Sequence, residues 1–399
     1  MSPGTFCYTA LHLIGTTLAS LSSQLSGFAS LMRVLHVIDS LVLGGAEVLV
    51  KDLAPRMRAR GIDFEVLILR RTNSPVEVAV RESGVPVHDT ELKNLYSPVQ
   101  IVKLARVVDR YDVVHVQLFP AQLWTAAAFA WRRRPARLIT TEQNTWNYRR
   151  DHWWLRPLDA WMYRQYELIA CNSEGTAAEL RRWCPSTADK LRIVDNGIPL
   201  EQFVTATPAE LDGFIVPGLT RLAFVARMYP QKDHATLFRA LTKVPNAQLV
   251  LVGDGPLRPQ LQDMAQRLGI ANRVAFLGLR TDVAQVLKAC DIYVHSTNSD
   301  GFGIAACEAM AAGLPVIVSD VPGLAEVVEG AGIVFPKGDD EALARELRML
   351  IASPDRCRQM SRASSERAKH FSMDRIVDEY IDLYQSAFRR PPQKVGGTG

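Results

Sequence analysis

The chain has 399 residues, 48% of them hydrophobic and 22% charged, which is ordinary globular usage and excludes wholesale disorder or a collagen-like repeat. At about 100–200 residues per domain, that length predicts two or three domains. Lys and Arg number 46 against 42 Asp and Glu, a net charge of +4, too thin a surplus to point to nucleic acid as a partner.

Residues 1–31 carry no Asp, Glu, Lys or Arg. Ser20, Ser22, Ser23, Gln24 and Ser26 interrupt the apolar stretch, so neither a secretory signal nor a spanning helix of about 20 residues is expected. The stretch reads as a poorly ordered extension, or as sequence upstream of a true start at Met32. A short membrane-surface anchor is the alternative reading.

From Met32 onward, apolar β-rich runs alternate with helical stretches. Strands are expected at 34–38, 64–69, 113–116, 138–141, 168–171 and 192–194, with helices between them, for example 46–60 and 97–109. The pattern then repeats at 222–225, 249–252, 274–277, 292–294, 316–318 and 333–335. Near-continuous Val/Ile/Leu strands separated by helices mean parallel sheets covered on both faces. The fold class is therefore α/β, with two doubly wound, Rossmann-like domains in tandem. The expected divisions are a first domain over 32–204, a linker over 205–220 holding Pro208, Gly213, Pro217 and Gly218, and a second domain over 221–370. A C-terminal helix over 371–388 is expected to return to the first domain, ahead of a disordered tail over 389–399. Open parallel sheets bind ligands beyond the carboxyl ends of their strands.

Several loops at those strand ends are suited to an anion. Gly44-Gly45-Ala46-Glu47 follows the first strand and opens a helix; it offers N–H donors, or is simply a tight turn. After the first strand of the second half, Arg227 and Lys232 lie five residues apart, a fork and a point charge that match a diphosphate. Alone, such cations are more often solvated surface groups. Gly253-Asp254-Gly255-Pro256 ends another strand, and turn chemistry accounts for it nearly as well as a nucleotide does.

The most informative run is Asp300-Gly301-Phe302-Gly303-Ile304-Ala305-Ala306-Cys307-Glu308. It puts the N–H groups of Gly303 and Ile304 at the positive end of a small-residue helix. Glu308 lies within that apolar helix, where a carboxylate is costly without hydrogen-bonding partners such as a ribose diol. Asp-x-Asp occurs nowhere, so no carboxylate pair for a divalent ion under a diphosphate is expected, and no metal site.

A basic-aromatic stretch from Trp146 to Tyr166 includes Tyr148, Arg149, Arg150, Trp153, Trp154 and Arg156, with Trp131-Arg132-Arg133-Arg134 upstream. It suits an anionic lipid surface or sugar faces. The alternative is an amphipathic helix with Trp packed inside and Arg outside. His36, His115 and His295 lie on or beside strands and read as core or rim residues. The six cysteines (Cys7, Cys171, Cys184, Cys290, Cys307, Cys357) form no C-x-x-C pair. Free thiols in a reducing compartment are expected, not a disulfide framework or a zinc site.

Together these motifs resemble the GT-B-fold retaining glycosyltransferases of family 4, the glycosyl transferases group 1. The resemblance covers residues 33 to about 388. It rests on GGAE, on Asn196-Gly197-Ile198 with Phe203, on Arg227 and Lys232, on Gly253-Asp254-Gly255-Pro256, on Phe276-Leu277-Gly278, and on DGFGIAACEAMAAGLPVIVSD.

The resemblance implies two domains facing across a cleft and a nucleotide-sugar donor as co-substrate, a UDP-sugar foremost, with no cofactor. It implies that Gly44 and Gly45 approach the donor diphosphate and that Arg227 and Lys232 bind its oxygens. Gly253 would lie on the nucleotide side and Gly278 near the base. Gly301, Phe302, Gly303 and Ile304 would line the sugar-diphosphate pocket, and Glu308 would hold the ribose hydroxyls. Asp300 stands where the family has the first Glu of its E-x7-E motif, one methylene shorter. Gln143 stands where many relatives carry a His that contacts the reacting sugar. A Gln takes no proton near neutral pH, so retention would run through a substrate-assisted, front-face route.

The expected partner is a glycan or lipid-linked sugar acceptor, in polysaccharide, lipid-linked oligosaccharide or lipopolysaccharide assembly. The expected location is the cytoplasm, with peripheral contact at the inner face of its membrane left open. A GT-B-fold sugar-nucleotide epimerase and a catalytically inactive scaffold are the rival readings.

Overall fold

A computed structural model describes residues 32–389, except 43, 133–135, 212 and 214, and of residue 132 only the backbone. The expectations for 1–31, for the stretch beyond 389 and for the side chains of Arg132, Arg133 and Arg134 lie outside the described residues, as does Cys7.

Among the described residues, two parallel sheets organise the fold. The first has seven strands, β1 (Arg33–Ile38), β2 (Asp63–Ile68), β3 (Val87–Asp89), β4 (Val113–Gln117), β5 (Arg137–Glu142), β6 (Leu168–Cys171) and β7 (Leu191–Ile193), in the order β3-β2-β1-β4-β5-β6-β7. The second has six, β8 (Thr220–Val225), β9 (Ala247–Val252), β10 (Val274–Gly278), β11 (Ile292–His295), β12 (Val316–Ser319) and β13 (Ile333–Phe335), in the order β10-β9-β8-β11-β12-β13. The α/β, doubly wound reading holds for both sheets. The sequence reading misses β3, a three-residue edge strand whose residues are at most half-buried; it lacks the apolar run that a doubly covered strand carries.

The chain forms two compact units: the described parts of Met1–Thr140, Met162–Leu168 and Tyr380–Gly399 in one, and Thr141–Trp161 with Ile169–Glu379 in the other. In the first unit, β1 and β4 pair in register with His36 opposite His115. Both rings are fully buried, 4.7 Å apart edge to face. The hydroxyl of Tyr384 lies 2.8 Å from His115 Nδ1.

In the second unit, the second sheet is covered on both faces. One core layer is built on Tyr293, Val316, Met310 and Phe371, the other on Phe224, Leu249, Val294 and Leu347. Burial on both sides is why these strands read as unbroken apolar runs. Their carboxyl ends are left to carry polar loops, and the candidate site is built there.

Candidate functional site

Strand β8 ends at Val225, and the next residues turn sharply through Arg227 to Lys232. Two glycines of a neighbouring loop permit that turn. A Cβ on Gly253, at φ +127°, would lie 2.1 Å from the carbonyl oxygen of Ala226, and one on Gly255 would lie 2.5 Å from that of Met228. The Gly-x-Gly pattern thus serves close backbone approach: Met228 N–H donates to Asp254 O at 2.9 Å. Gly278, at φ +70°, ends β10, and its carbonyl accepts from Gly253 N–H at 2.8 Å.

Strand β11 delivers the second loop, Thr297 to Gly303. The hydroxyl of Thr297 donates to Gln231 O at 2.9 Å, and Asn298 N–H donates to the same carbonyl at 2.8 Å. The two loops are therefore one structure, and they border a cavity of about 370 Å³ that Asn144, Trp146, Arg227, Lys232, Asp300 and Gly301 help to line.

Within it, the Lys232 ammonium donates to Asp300 Oδ2. The same oxygen lies 3.0 Å from His295 Nε2, and His295 Nδ1 lies 3.0 Å from the Tyr293 hydroxyl. A carboxylate only accepts, so Nε2 carries the imidazole proton and Nδ1 accepts from Tyr293. The other Asp300 oxygen accepts from the N–H groups of Phe302 at 3.3 Å and Gly303 at 3.1 Å. Burial alone would push the Asp300 carboxyl up, but Lys232 and then His295 outweigh it and hold it well below the usual carboxylate range. Burial pushes the His295 imidazole down, against the pull of Asp300, so the ring is neutral. The Arg227 guanidinium lies 5.3 Å from the centre of the Tyr229 ring, on the rim.

These contacts refine the sequence reading residue by residue. Arg227, Lys232, Asp300 and Gly301 meet at one cavity. Gly301 is tightly held, since a Cβ there would lie 2.1 Å from Gln143 O, and the Ser173 hydroxyl donates to its carbonyl at 2.8 Å. The side chain of Phe302 does not line the pocket; it is buried in the core, 5.4 Å edge to face from Phe371. Gly303 caps the helix Ile304–Ala311 at φ +86°. Its N–H is not open to a ligand, because Asp300 already occupies it.

Glu308, inside that helix, is half-buried. After burial itself, its charge is the next cause pushing the Tyr293 hydroxyl up, so the carboxylate lies close to the same hydrogen-bonded chain. Gln143 is not among the residues that line this cavity. Its Oε1 accepts from Asn172 Nδ2 at 3.2 Å and Asn196 Nδ2 at 2.9 Å, which fixes its orientation, while its Nε2 is buried with no hydrogen-bond partner among the described residues. Gly44 and Gly45 precede and open the helix Gly45–Ala59 in the first unit.

Sequence reasoning missed His295 and Tyr293 as site residues. The available signal was a His at the carboxyl end of a strand, five residues before Asp300.

Before Arg156 the basic-aromatic segment reverses its expected helical alternative, whereas in the helix Arg156–Gln165 Tyr163 is buried, Trp161 half-buried and Arg164 exposed, as that alternative has it. Trp153 is 79% exposed and Trp154 57%, with Tyr148 and Trp146 also outside. Arg149 and Arg150 face inward: Arg149 Nε donates to buried Asp159 at 2.8 Å, and Arg150 donates to Thr145 O at 2.8 Å. Trp183 adds a second donor to Asp159 at 2.9 Å. The reason is local: Tyr148–Asp151 and Trp153–Leu155 are short 3₁₀ turns, and the helix begins only at Arg156.

Cys171, Cys184, Cys290 and Cys307 are buried and free, and Cys357 is free and half-buried. Among the described residues no helix is long and apolar enough to cross a membrane, and no three His, Cys, Asp or Glu side chains gather as a metal site.

Comparison with known proteins adds to this geometry. Residues 215–367 match the family model of the glycosyl transferases group 1, and residues 43–202 that of glycosyltransferase family 4. The lipopolysaccharide core biosynthesis glycosyltransferase LpsD of Rhizobium meliloti is 27% identical over 366 residues, covering 88% of this chain and 98% of its own. LpsE of the same organism, another lipopolysaccharide core biosynthesis glycosyltransferase, is 25% identical over 353 residues, covering 86% and 96%. Among solved structures, Anabaena HepE in complex with UDP-glucose superposes with a TM-score of 0.77 at 22% identity, covering 89% of this chain and all of that one.

Proposed function

Since this chain belongs to the GT-B-fold glycosyltransferases of family 4, the glycosyl transferases group 1, we propose that it moves a sugar from a UDP-sugar to an acceptor hydroxyl with retention of anomeric configuration. The acceptor is a glycan or lipid-linked sugar of polysaccharide, lipid-linked oligosaccharide or lipopolysaccharide assembly. LpsD and LpsE are named for lipopolysaccharide core biosynthesis, and HepE was solved with UDP-glucose, which supports both choices.

The observation that carries the reading is the cavity where Arg227 and Lys232 meet beside Asp300. In the reaction, the bond from the anomeric carbon to the diphosphate breaks and a bond to the acceptor oxygen forms on the same face. The acceptor proton leaves on a phosphate oxygen of the departing nucleotide. One further negative charge develops on that leaving group as the bond breaks, before the acceptor proton reaches it, and fixed cations are worth most in such a recessed site. Arg227 offers a two-pronged donor from the rim, and Lys232 a point charge from within. Glu308 accepts from the ribose hydroxyls, and no metal ion takes part. Gln143, held by two asparagine donors, takes no proton, in keeping with a front-face route.

The enzyme works in the cytoplasm, in peripheral contact with the membrane where lipid-linked acceptors lie. Exposed Trp153, Trp154 and Tyr148 support that contact, since such rings favour the headgroup region.

A screen of UDP-, GDP- and ADP-sugars by thermal shift, followed by NMR of the product anomer, tests the reading. Stabilisation by UDP-sugars and a product with the donor's anomeric configuration are expected. An inverted product would remove retention, and an altered donor sugar without added acceptor would replace transfer with epimerisation.

A further inference from the structure

We propose that His295 is a positioning residue of this site: through Asp300 it sets the place of the Lys232 ammonium, and Tyr293 in turn sets His295. The inference rests on the reading of the cavity as a donor-diphosphate site.

Asp300 has no oxygen to spare for a sugar. Oδ1 is taken by the N–H groups of Phe302 and Gly303, and Oδ2 by Lys232 and His295. Its work is therefore internal: it holds a long, flexible side chain whose free rotamers would otherwise be lost on binding. The ammonium has three donors, so Asp300 can hold it while others meet a diphosphate oxygen.

For that, Oδ2 must stay where it is, and His295 is the neutral group that fixes it. The ring is 2% exposed. It faces Lys232, Asp300 and Tyr293, has His234 as a further titratable neighbour, and packs on Phe224 at 5.6 Å. Only the tautomer with the proton on Nε2 donates to Asp300, and the Tyr293 hydroxyl selects it by donating to Nδ1.

The test is calorimetric titration of the full chain with UDP and with UMP, comparing wild type, His295→Leu, His295→Gln and Tyr293→Phe. UMP lacks the second phosphate, so the ratio of the two affinities isolates the diphosphate. The ratio should fall about tenfold in His295→Leu, the size of one lost hydrogen bond. It should recover in His295→Gln, whose amide N–H can replace Nε2–H. Tyr293→Phe should lower it several-fold, and it carries the test if His295→Leu does not fold.

An unchanged ratio in His295→Leu, or no recovery in His295→Gln, overturns the positioning role while the donor reading stands. If the wild-type chain binds no UDP, GDP or ADP, the donor reading falls and this inference falls with it.

Discussion

Lys232 and Asp300, 68 positions apart in the chain, hold each other as an ion pair at the carboxyl end of the second sheet. The pair joins the loop after β8 to the loop after β11. It also sets apart two roles that a substitution can distinguish, since the lysine is the group a ligand meets and the aspartate is the group that holds it.

Replacing Lys232 by Met keeps the stem and removes the charge. Transfer should fall about 10²–10³-fold, the usual cost of one electrostatic contact to a developing anion. The melting temperature should also fall, because Asp300 loses its cation in a site where both side chains are less than one-fifth exposed and breaking such a pair is costly. In Lys232→Met/Asp300→Asn, melting should recover most of the loss while activity does not. Rate assays beside calorimetric melts of the two variants check this; recovery of both together would show that the lysine acts only on stability.

Gln143→Ala should act on stability more than on rate. It removes the acceptor of Asn196 Nδ2, at a cost of about 1–3 kcal/mol for an unsatisfied group, while Asn172 Nδ2 keeps the backbone carbonyl of residue 143 at 3.0 Å. Urea unfolding should show the loss directly. If stability were unchanged and transfer abolished, Gln143 would instead be a group that touches substrate.

Acid stability should be governed in part by the histidine pair of the first unit. Burial pushes His36 down to about 3 from an ordinary 6.5. Burial and then the neighbouring His36 push His115 well down also. Between pH 6.5 and about 3 the unfolded chain takes protons that the folded chain refuses. Stability is therefore fully present above pH 6.5 and is lost as pH falls through that window, by about 1.4 kcal/mol per pH unit from His36, with His115 acting in the same direction. Urea midpoints at pH 7, 6, 5 and 4 should trace the decline, and His36→Leu should make it shallower. An equal slope in wild type and variant would contradict the assignment.

The outward tryptophans give a fourth expectation. Trp153→Ala/Trp154→Ala should leave the melting temperature within about 1 °C, since exposed substitutions away from packed features change stability by no more than about 0.5 kcal/mol. The variant should lose most binding to vesicles of phosphatidylglycerol and phosphatidylethanolamine in a flotation assay. Flotation equal to wild type would exclude this surface as the membrane contact.

Much of this architecture is legible in the sequence because doubly covered strands leave an apolar signature: VLHVI, LVLV and VIV each mark a buried strand. The cavity is legible in part, since Arg227, Lys232 and Asp300 are polar groups at strand ends. The chain from Tyr293 through His295 to Asp300 is not legible. A histidine inside a strand reads as core, and only its register at the strand's end puts it against a carboxylate. Phe302 misleads in the opposite way, because glycines on both sides suggest a ligand loop while the ring itself is needed in the core beside Phe371. The first part of the Trp146–Tyr166 stretch, up to Arg156, departs from its helical reading for a third reason. Helical periodicity places tryptophans inward, but no helix forms before Arg156, and Asp159 draws Arg149 into the interior.

On the proposed reading, the cavity lined by Arg227 and Lys232 binds the diphosphate of a nucleotide sugar. Calorimetric titration of the full chain and of its Lys232→Met variant with UDP-glucose and UDP tests it most directly. Saturable binding in the wild type, weakened at least tenfold in the variant, is the expected result; equal binding by both chains would contradict it.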